Sequence, residues 1–347
     1  MFGLYTKKYP NVQVVNAALA GGTGAGGNMK AVLKTRMLGG DPPDSFQVHL
    51  GHELIDTWAT TGYMETLDDL YKQEGYADVF PKDMIDIASW SGHQWSVPVN
   101  VMRANVLWYN KTILNKYQLE PPTTVADFLQ TCETLKGKGV IPWALGESSP
   151  GQAAEDFESV LIGTLGAEGW DGLWTGKTPF TDSKVTDSLN TYLKYLSYAN
   201  PDYLGIAWGD GTNMLIAGKT AMVIDGDWTD GNFKAKSFTD WGAVPAPGDA
   251  GIWDLLSDSF GLPKKAKDRD NALNWIKLCG SQEGQDTFDT LKGAIPPRSD
   301  AGKVDGYDDF QKQSMIDFQK FAHVPSVVHG AAVKESWTTD YDNDMNI

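Results

Sequence analysis

The stretch Asp41-Pro42-Pro43-Asp44-Ser45-Phe46-Gln47-Val48-His49-Leu50-Gly51-His52-Glu53-Leu54 decides the fold of this 347-residue chain. Pro42-Pro43 marks a turn. Ser45 to Val48 is short and apolar-leaning, which predicts a strand. Gly51 onward predicts a helix with Leu54, Ile55 and Trp58 on one face. Strand then helix gathers the polar side chains of Gln47, His49 and His52 at the C-terminal end of a strand. That is where open α/β sheets hold ligands.

Upstream, Leu4 to Tyr9 reads as the last turns of a helix ended by Pro10. Asn11 to Ala18 alternates as a strand. The glycine run Gly21-Gly22-Thr23-Gly24-Ala25-Gly26-Gly27 follows, then a helix through Met29, Val32, Leu33, Arg36 and Met37. Strand, helix, strand, helix predicts an α/β fold with a parallel sheet. Downstream, Trp90 to Val99 reads as a hairpin, Ala104 to Tyr109 as a strand and Asn110 as a helix cap. Thr124 is the N-cap of another helix, with Asp127 supporting its first turn. Ile141 to Leu145 and Thr220 to Ile224 are strands, and Leu255 to Leu262 carries the chain across again. Helices are expected at 153–165, 183–198, 208–217, 268–279 and 281–291.

A chain of this length forms two domains or lobes with real cores. Hydrophobic residues make up 41% and charged residues 21%, which describes a folded chain. The formal charge of −16 argues against nucleic acid as a partner and suits a neutral or cationic small ligand. Thirteen Trp hint at sugar binding, since an indole face stacks on the apolar face of a pyranose, although most Trp in any protein are core. Two cysteines, Cys132 and Cys279, are too few for a disulfide scaffold or a cysteine zinc site. No run reaches transmembrane length, and the first residues form no signal peptide.

Several motifs fall short of chemistry. Gly22-x-Gly24-x-x-Gly27 spells a dinucleotide fingerprint, but no acidic residue closes the second strand, so a loop is the better reading. His52-Glu53-Leu54-Ile55-Asp56 has Asp where a zincin helix needs its second His. His49 and His52 are read as hydrogen-bonding groups rather than metal ligands. Asp225 to Gly231 departs from a calcium loop at its fifth, glycine and twelfth positions, and the acids of 340–344 read as solvated. No G-x-S-x-G elbow occurs. Paired carboxylates for glycoside cleavage stay open, though Asp225 and Asp227 point to opposite sides of a continuing strand and make a poor pair.

Six stretches together resemble the extracellular solute-binding proteins of carbohydrate ABC importers, in the branch similar to glucose-binding proteins. They are 32–37 with 39–49, Val97-Pro98-Val99-Asn100 with 106–111, Ala221-Met222 with Gly226-Asp227-Trp228, 257–264, Lys292 to Arg298, and Pro325 to Gly330. They span nearly the whole chain in the family's order. The resemblance implies an α/β, two-lobed periplasmic-binding-protein fold with parallel-rich sheets and a ligand cleft between the lobes. Lobe one takes 1–99 and 259–299, and lobe two takes 103–255 and 303–347. The crossings fall near 99–103, 255–259 and 296–300.

It further implies a non-enzymatic receptor. A monosaccharide, glucose or an epimer, is bound and delivered to the membrane permease subunits of an ABC transporter. The carried-over sugar contacts are Gln47, His49, Trp208, Trp228, Asp258, Lys292 and His329, with His52 and Asn100 as neighbours. Met102 stands where a polar residue is expected. No cofactor and no metal are implied, and the expected state is a monomer in the periplasm or outside the cell. The family carries a strand before the helix end at Leu4 to Tyr9 and a helix after the tail. The chain therefore reads as a fragment truncated at both ends, without its export signal and with weakened affinity; membrane anchoring of the full-length protein is left open. The competing readings are a glycoside hydrolase with an aromatic-stacked subsite and a sugar-sensing partner of a chemoreceptor.

Overall fold

The computed structural model describes residues 1–17 and 25–346. The glycines at 21, 22 and 24, and with them the fingerprint-like spelling, lie outside the described residues. The chain divides into two compact units. The first comprises Met1–Met102, Leu256–Met315 and His329–Glu335; the second comprises Arg103–Leu255, Ile316–Val328 and Ser336–Ile347.

In the first unit the strand Phe46–His49 alternates as a pleat requires. Phe46 and Val48 turn inward onto Leu54, Ile55, Trp58 and Trp95, and Gln47 and His49 face the other side. The strand pairs with Asp258–Gly261, which also pairs with Ser96–Pro98, and both pairings are antiparallel. A second apolar cluster holds Leu67, Tyr71, Tyr76, Phe80, Val97, Leu262 and Ile276.

The second unit is built on four strands in the order Ile141–Ala144, Thr220–Asp225, Val106–Asn110, Trp241–Pro245. The first two are parallel, and Val106–Asn110 runs against both its neighbours. Thr220–Asp225 is buried along its whole length, as a central strand covered on both faces must be. A separate parallel pair joins Ile252–Leu256 to Ala322–Pro325. The helix Gln152–Thr175 bends at Gly166, whose φ of 71° breaks the helical ladder.

Two of the sheets, expected to be parallel, are each interrupted by one reversed strand. Asp258–Gly261 and Val106–Asn110 are the strands formed just after the chain passes from one unit to the other, at 255–256 and at 102–103. No local crossover helix constrains their direction, so they run antiparallel. Residues 11–17 form no strand, and Val15 is exposed. The helix expected after Gly51 is an α-turn, His52–Leu54, continued by a π-turn, Ile55–Ala59.

The third crossing does not fall near 296–300. Residues 303–315 stay with the first unit because Asp286 accepts from Gly302 N (2.8 Å) and Tyr307 Oη (2.9 Å). Gln311 Nε2 then donates to the carbonyls of Asp289 and Ala294, both at 2.7 Å. Residues 329–335 also return to the first unit, tied by His52 N to Gly330 O at 2.8 Å. Among the described residues no helix is long and apolar enough to cross a membrane.

Candidate sugar-binding site

Register explains why two distant segments meet. Antiparallel pairing places His49 directly opposite Asp258, and cross-strand partners share a face. Asp258 is only 5% exposed. Its Oδ1 accepts from Gln47 Nε2, and its Oδ2 accepts from Asn100 Nδ2 at 2.9 Å and lies 3.5 Å from Lys292 Nζ. Asn100 also reaches back, with its Oδ1 accepting from Asp258 N at 2.6 Å. Lys292 closes the helix Gln282–Lys292, and Gly293 in the left-handed region ends it. One carboxylate therefore sits among two amides and an ammonium, a mixed donor and acceptor set suited to hydroxyls that both donate and accept.

Beside it stands a second group. The His49 and His329 rings are 5.1 Å apart at 89°. Gly51 makes this approach possible. Its φ is 112°, and a Cβ there would lie 2.9 Å from the carbonyl of Gly330. His49 Nδ1 is 2.8 Å from Glu53 Oε2, which also accepts from His49 N at 2.9 Å. Glu53 Oε1 is 3.1 Å from Lys30 Nζ, and Lys30 is 3.4 Å from Glu335 Oε1. Burial disfavours charge on His49, but the Glu53 carboxylate outweighs it and raises the pKa. Burial and neighbouring His49 push His329 well below the usual histidine range. Burial works against ionisation of Glu53 too, yet His49 and Lys30 hold it far below the usual carboxylate range.

The structure thus brings Gln47, His49, Asn100, Asp258, Lys292 and His329 together on the first unit. His52, on the same segment, faces Asp56. Its Nδ1 is 3.1 Å from Asp56 Oδ2, and Asp56 also accepts from Glu335 N at 3.2 Å. Met102 is buried. Sequence reasoning missed Glu53 and Lys30. The spacing of His49 and Glu53 was legible in the opening stretch, but Lys30 comes from the helix Ala25–Leu38 and no local pattern points to it.

Trp208 and Trp228 belong to the second unit. Each opens a helix, Trp208–Ile216 and Trp228–Ala235, and Trp208 is 41% exposed. Asp225, at the end of its buried strand, ties both helices. Its Oδ2 accepts from Thr229 Oγ1 at 2.7 Å and Thr212 Oγ1 at 3.3 Å, and its Oδ1 accepts from Gly226 N at 2.9 Å. Burial pushes its carboxyl up to about 6 against those hydrogen bonds. The strand stops at Asp225. Asp227 turns away as the residue before the second helix, and its Oδ2 accepts from Arg103 N at 3.0 Å. Trp58, Trp95, Trp108, Trp143, Trp170 and Trp253 are core. Among the described residues no group of three or more His, Cys, Asp or Glu is placed to hold a metal ion.

Residues 1–286 match the family model of bacterial extracellular solute-binding proteins. An uncharacterized ABC transporter extracellular-binding protein of Pyrococcus horikoshii is 36% identical over 346 residues, covering 98% of this chain and 77% of that protein. A probable sugar-binding periplasmic protein of Rhizobium meliloti is 30% identical over 288 residues, covering 81% of this chain and 69% of that one. Among solved structures, a bacterial solute receptor with an exclusive preference for β-D-galactopyranose superposes with a TM-score of 0.83 at 21% identity. It covers 99% of this chain and 86% of that one, and it shares the fold.

Proposed function

Because this chain belongs to the bacterial extracellular solute-binding proteins, and so is a sugar receptor of an ABC importer rather than a glycoside hydrolase, we propose that its ligand is a single pyranose, glucose or an epimer, handed on to a membrane permease. The observation that carries this reading is the Asp258 carboxylate held among Gln47, Asn100 and Lys292. A planar, nearly buried acceptor flanked by amide and ammonium donors matches two neighbouring hydroxyls of one ring. His49 and His329 add two imidazoles beside it. Trp208 and Trp228 of the second unit are the proposed stacking faces. The receptor of similar fold that prefers β-D-galactopyranose lends support to a monosaccharide.

The test is a thermal-shift panel of D-glucose, D-galactose, D-mannose, D-xylose and maltose, followed by calorimetry. A ligand that binds only the native state stabilises it by about 2.7 kcal/mol at a hundredfold excess over Kd. The expected result is a melting point several degrees higher with one or two hexoses. A shift with maltose alone would overturn the monosaccharide reading, and no shift with any sugar would overturn the site. Uptake in cells lacking this receptor but retaining the permease tests delivery: transport should fall and return with the gene.

A further inference from the structure

Glu53 touches the carried-over sugar contact His49 twice, at Nδ1 (2.8 Å) and at the backbone N (2.9 Å). Double engagement fixes both the ring orientation and the nitrogen that faces the carboxylate. Nε2 is the nitrogen Glu53 does not engage. With Nδ1–H on the carboxylate and the ring charged, Nε2 also carries a proton and is a donor. His329 stands edge-on at 5.1 Å, and burial and His49 push it well below the usual histidine range.

We propose that Glu53 is the positioning residue of this site: it locks His49 as a hydrogen-bond donor, so that sugar binding does not follow the titration of a lone histidine. The proposal rests on the reading of this cluster as a sugar site. The groups facing His49 act together. Glu53 on its own segment and Asp258 on the paired strand favour the imidazolium, and Lys30 on the helix Ala25–Leu38 opposes it. Lys30 is itself neutralised by Glu53 and Glu335.

The test compares wild type, Glu53→Gln and His49→Gln by calorimetry with the best-binding hexose between about pH 5.5 and pH 7.5, where an ordinary histidine loses its proton. Wild-type affinity should change by less than about threefold across that range. Glu53→Gln keeps the shape and an acceptor for the backbone N but loses the charge. Its affinity should fall about tenfold at the upper end and recover towards wild type at the lower end. Equal weakening of Glu53→Gln at every pH would mark a merely structural role and overturn the proposal, as would a tenfold loss by the wild type alone. NMR titration of the ring carbons needs no sugar, with the His49→Gln spectrum assigning the signal. His49 should remain charged to higher pH in wild type than in Glu53→Gln, and identical titration midpoints would overturn the proposal. If wild type bound no sugar, the site reading would fail while this titration still decided the role of Glu53. If Glu53→Gln did not fold, a wild-type His49 midpoint at the ordinary histidine value would suffice to overturn it.

Discussion

His329 presents its ring edge-on to His49, with centroids 5.1 Å apart and planes at 89°. Both are carried to one place by backbone rather than by each other: His49 ends a strand, and the 329–335 segment is anchored through Gly330 O to His52 N at 2.8 Å. Removing the His329 ring should cost the ligand one hydrogen bond. His329→Ala is expected to weaken hexose binding about tenfold, the worth of roughly 1.4 kcal/mol. Calorimetry checks the affinity, and a cooperative melt of the sugar-free variant checks that it folds.

Asp258 has a heavier duty. It satisfies Gln47 and Asn100 at once, and its backbone N is held by Asn100. Asp258→Ala leaves those amides without their acceptor, at a cost of about 1–3 kcal/mol in stability. Hexose binding should be lost beyond detection. Asp258→Asn should be milder in stability but still weaken binding. If either variant bound as wild type does, the carboxylate would not be a sugar contact.

On the second unit the Trp228 indole lies against Gly226. A Cβ on Gly226 would be 2.1 Å from Cζ3 and 2.2 Å from Cη2 of that ring. Gly226→Ala must push the indole aside, while Asp225 still accepts from the backbone N of residue 226. Loss of an aromatic platform costs roughly tenfold in affinity. Trp228→Ala should lose at least as much. Unaltered affinity in both would remove Trp228 from the proposed contacts.

Stability should fall with rising pH because of carboxyls buried in the second unit. Glu158 accepts from Val327 N at 3.1 Å and Val328 N at 3.0 Å, yet burial still pushes it up to about 7. Burial and nearby Glu158 raise Asp254, and burial raises Glu155 and Asp156. Groups raised in the folded state bind protons that the unfolded chain has released. Their stabilisation is full below the ordinary carboxylate range and is lost as pH climbs through the folded value. Each such proton is worth about 1.4 kcal/mol per pH unit while it is retained. The melting point should be several degrees higher near pH 5.5 than near pH 8. Asp254→Asn, which cannot ionise, should flatten the curve. A melting point that rises with pH would contradict the assignment.

Local physics was legible in the sequence. The alternation Phe46, Gln47, Val48, His49 told core from site before any partner was known. The caps were equally local: Asn110 Oδ1 accepts from Ile113 N at 3.0 Å, and Thr124 Oγ1 accepts from Asp127 N at 3.1 Å. The family and two-unit architecture followed from motifs strung along the chain. What only the tertiary structure decided were the partnerships across it. His49 stands opposite Asp258, Lys30 reaches Glu53, Asp286 keeps 303–315 in the first unit, and one strand in each of two sheets runs backwards. A side chain's spacing along the backbone sets which face it occupies, because that depends on a few dihedral angles nearby. Which residue answers it on that face, and what charge it then carries, depends on burial beside segments tens to hundreds of residues away, and no short window of sequence holds that information.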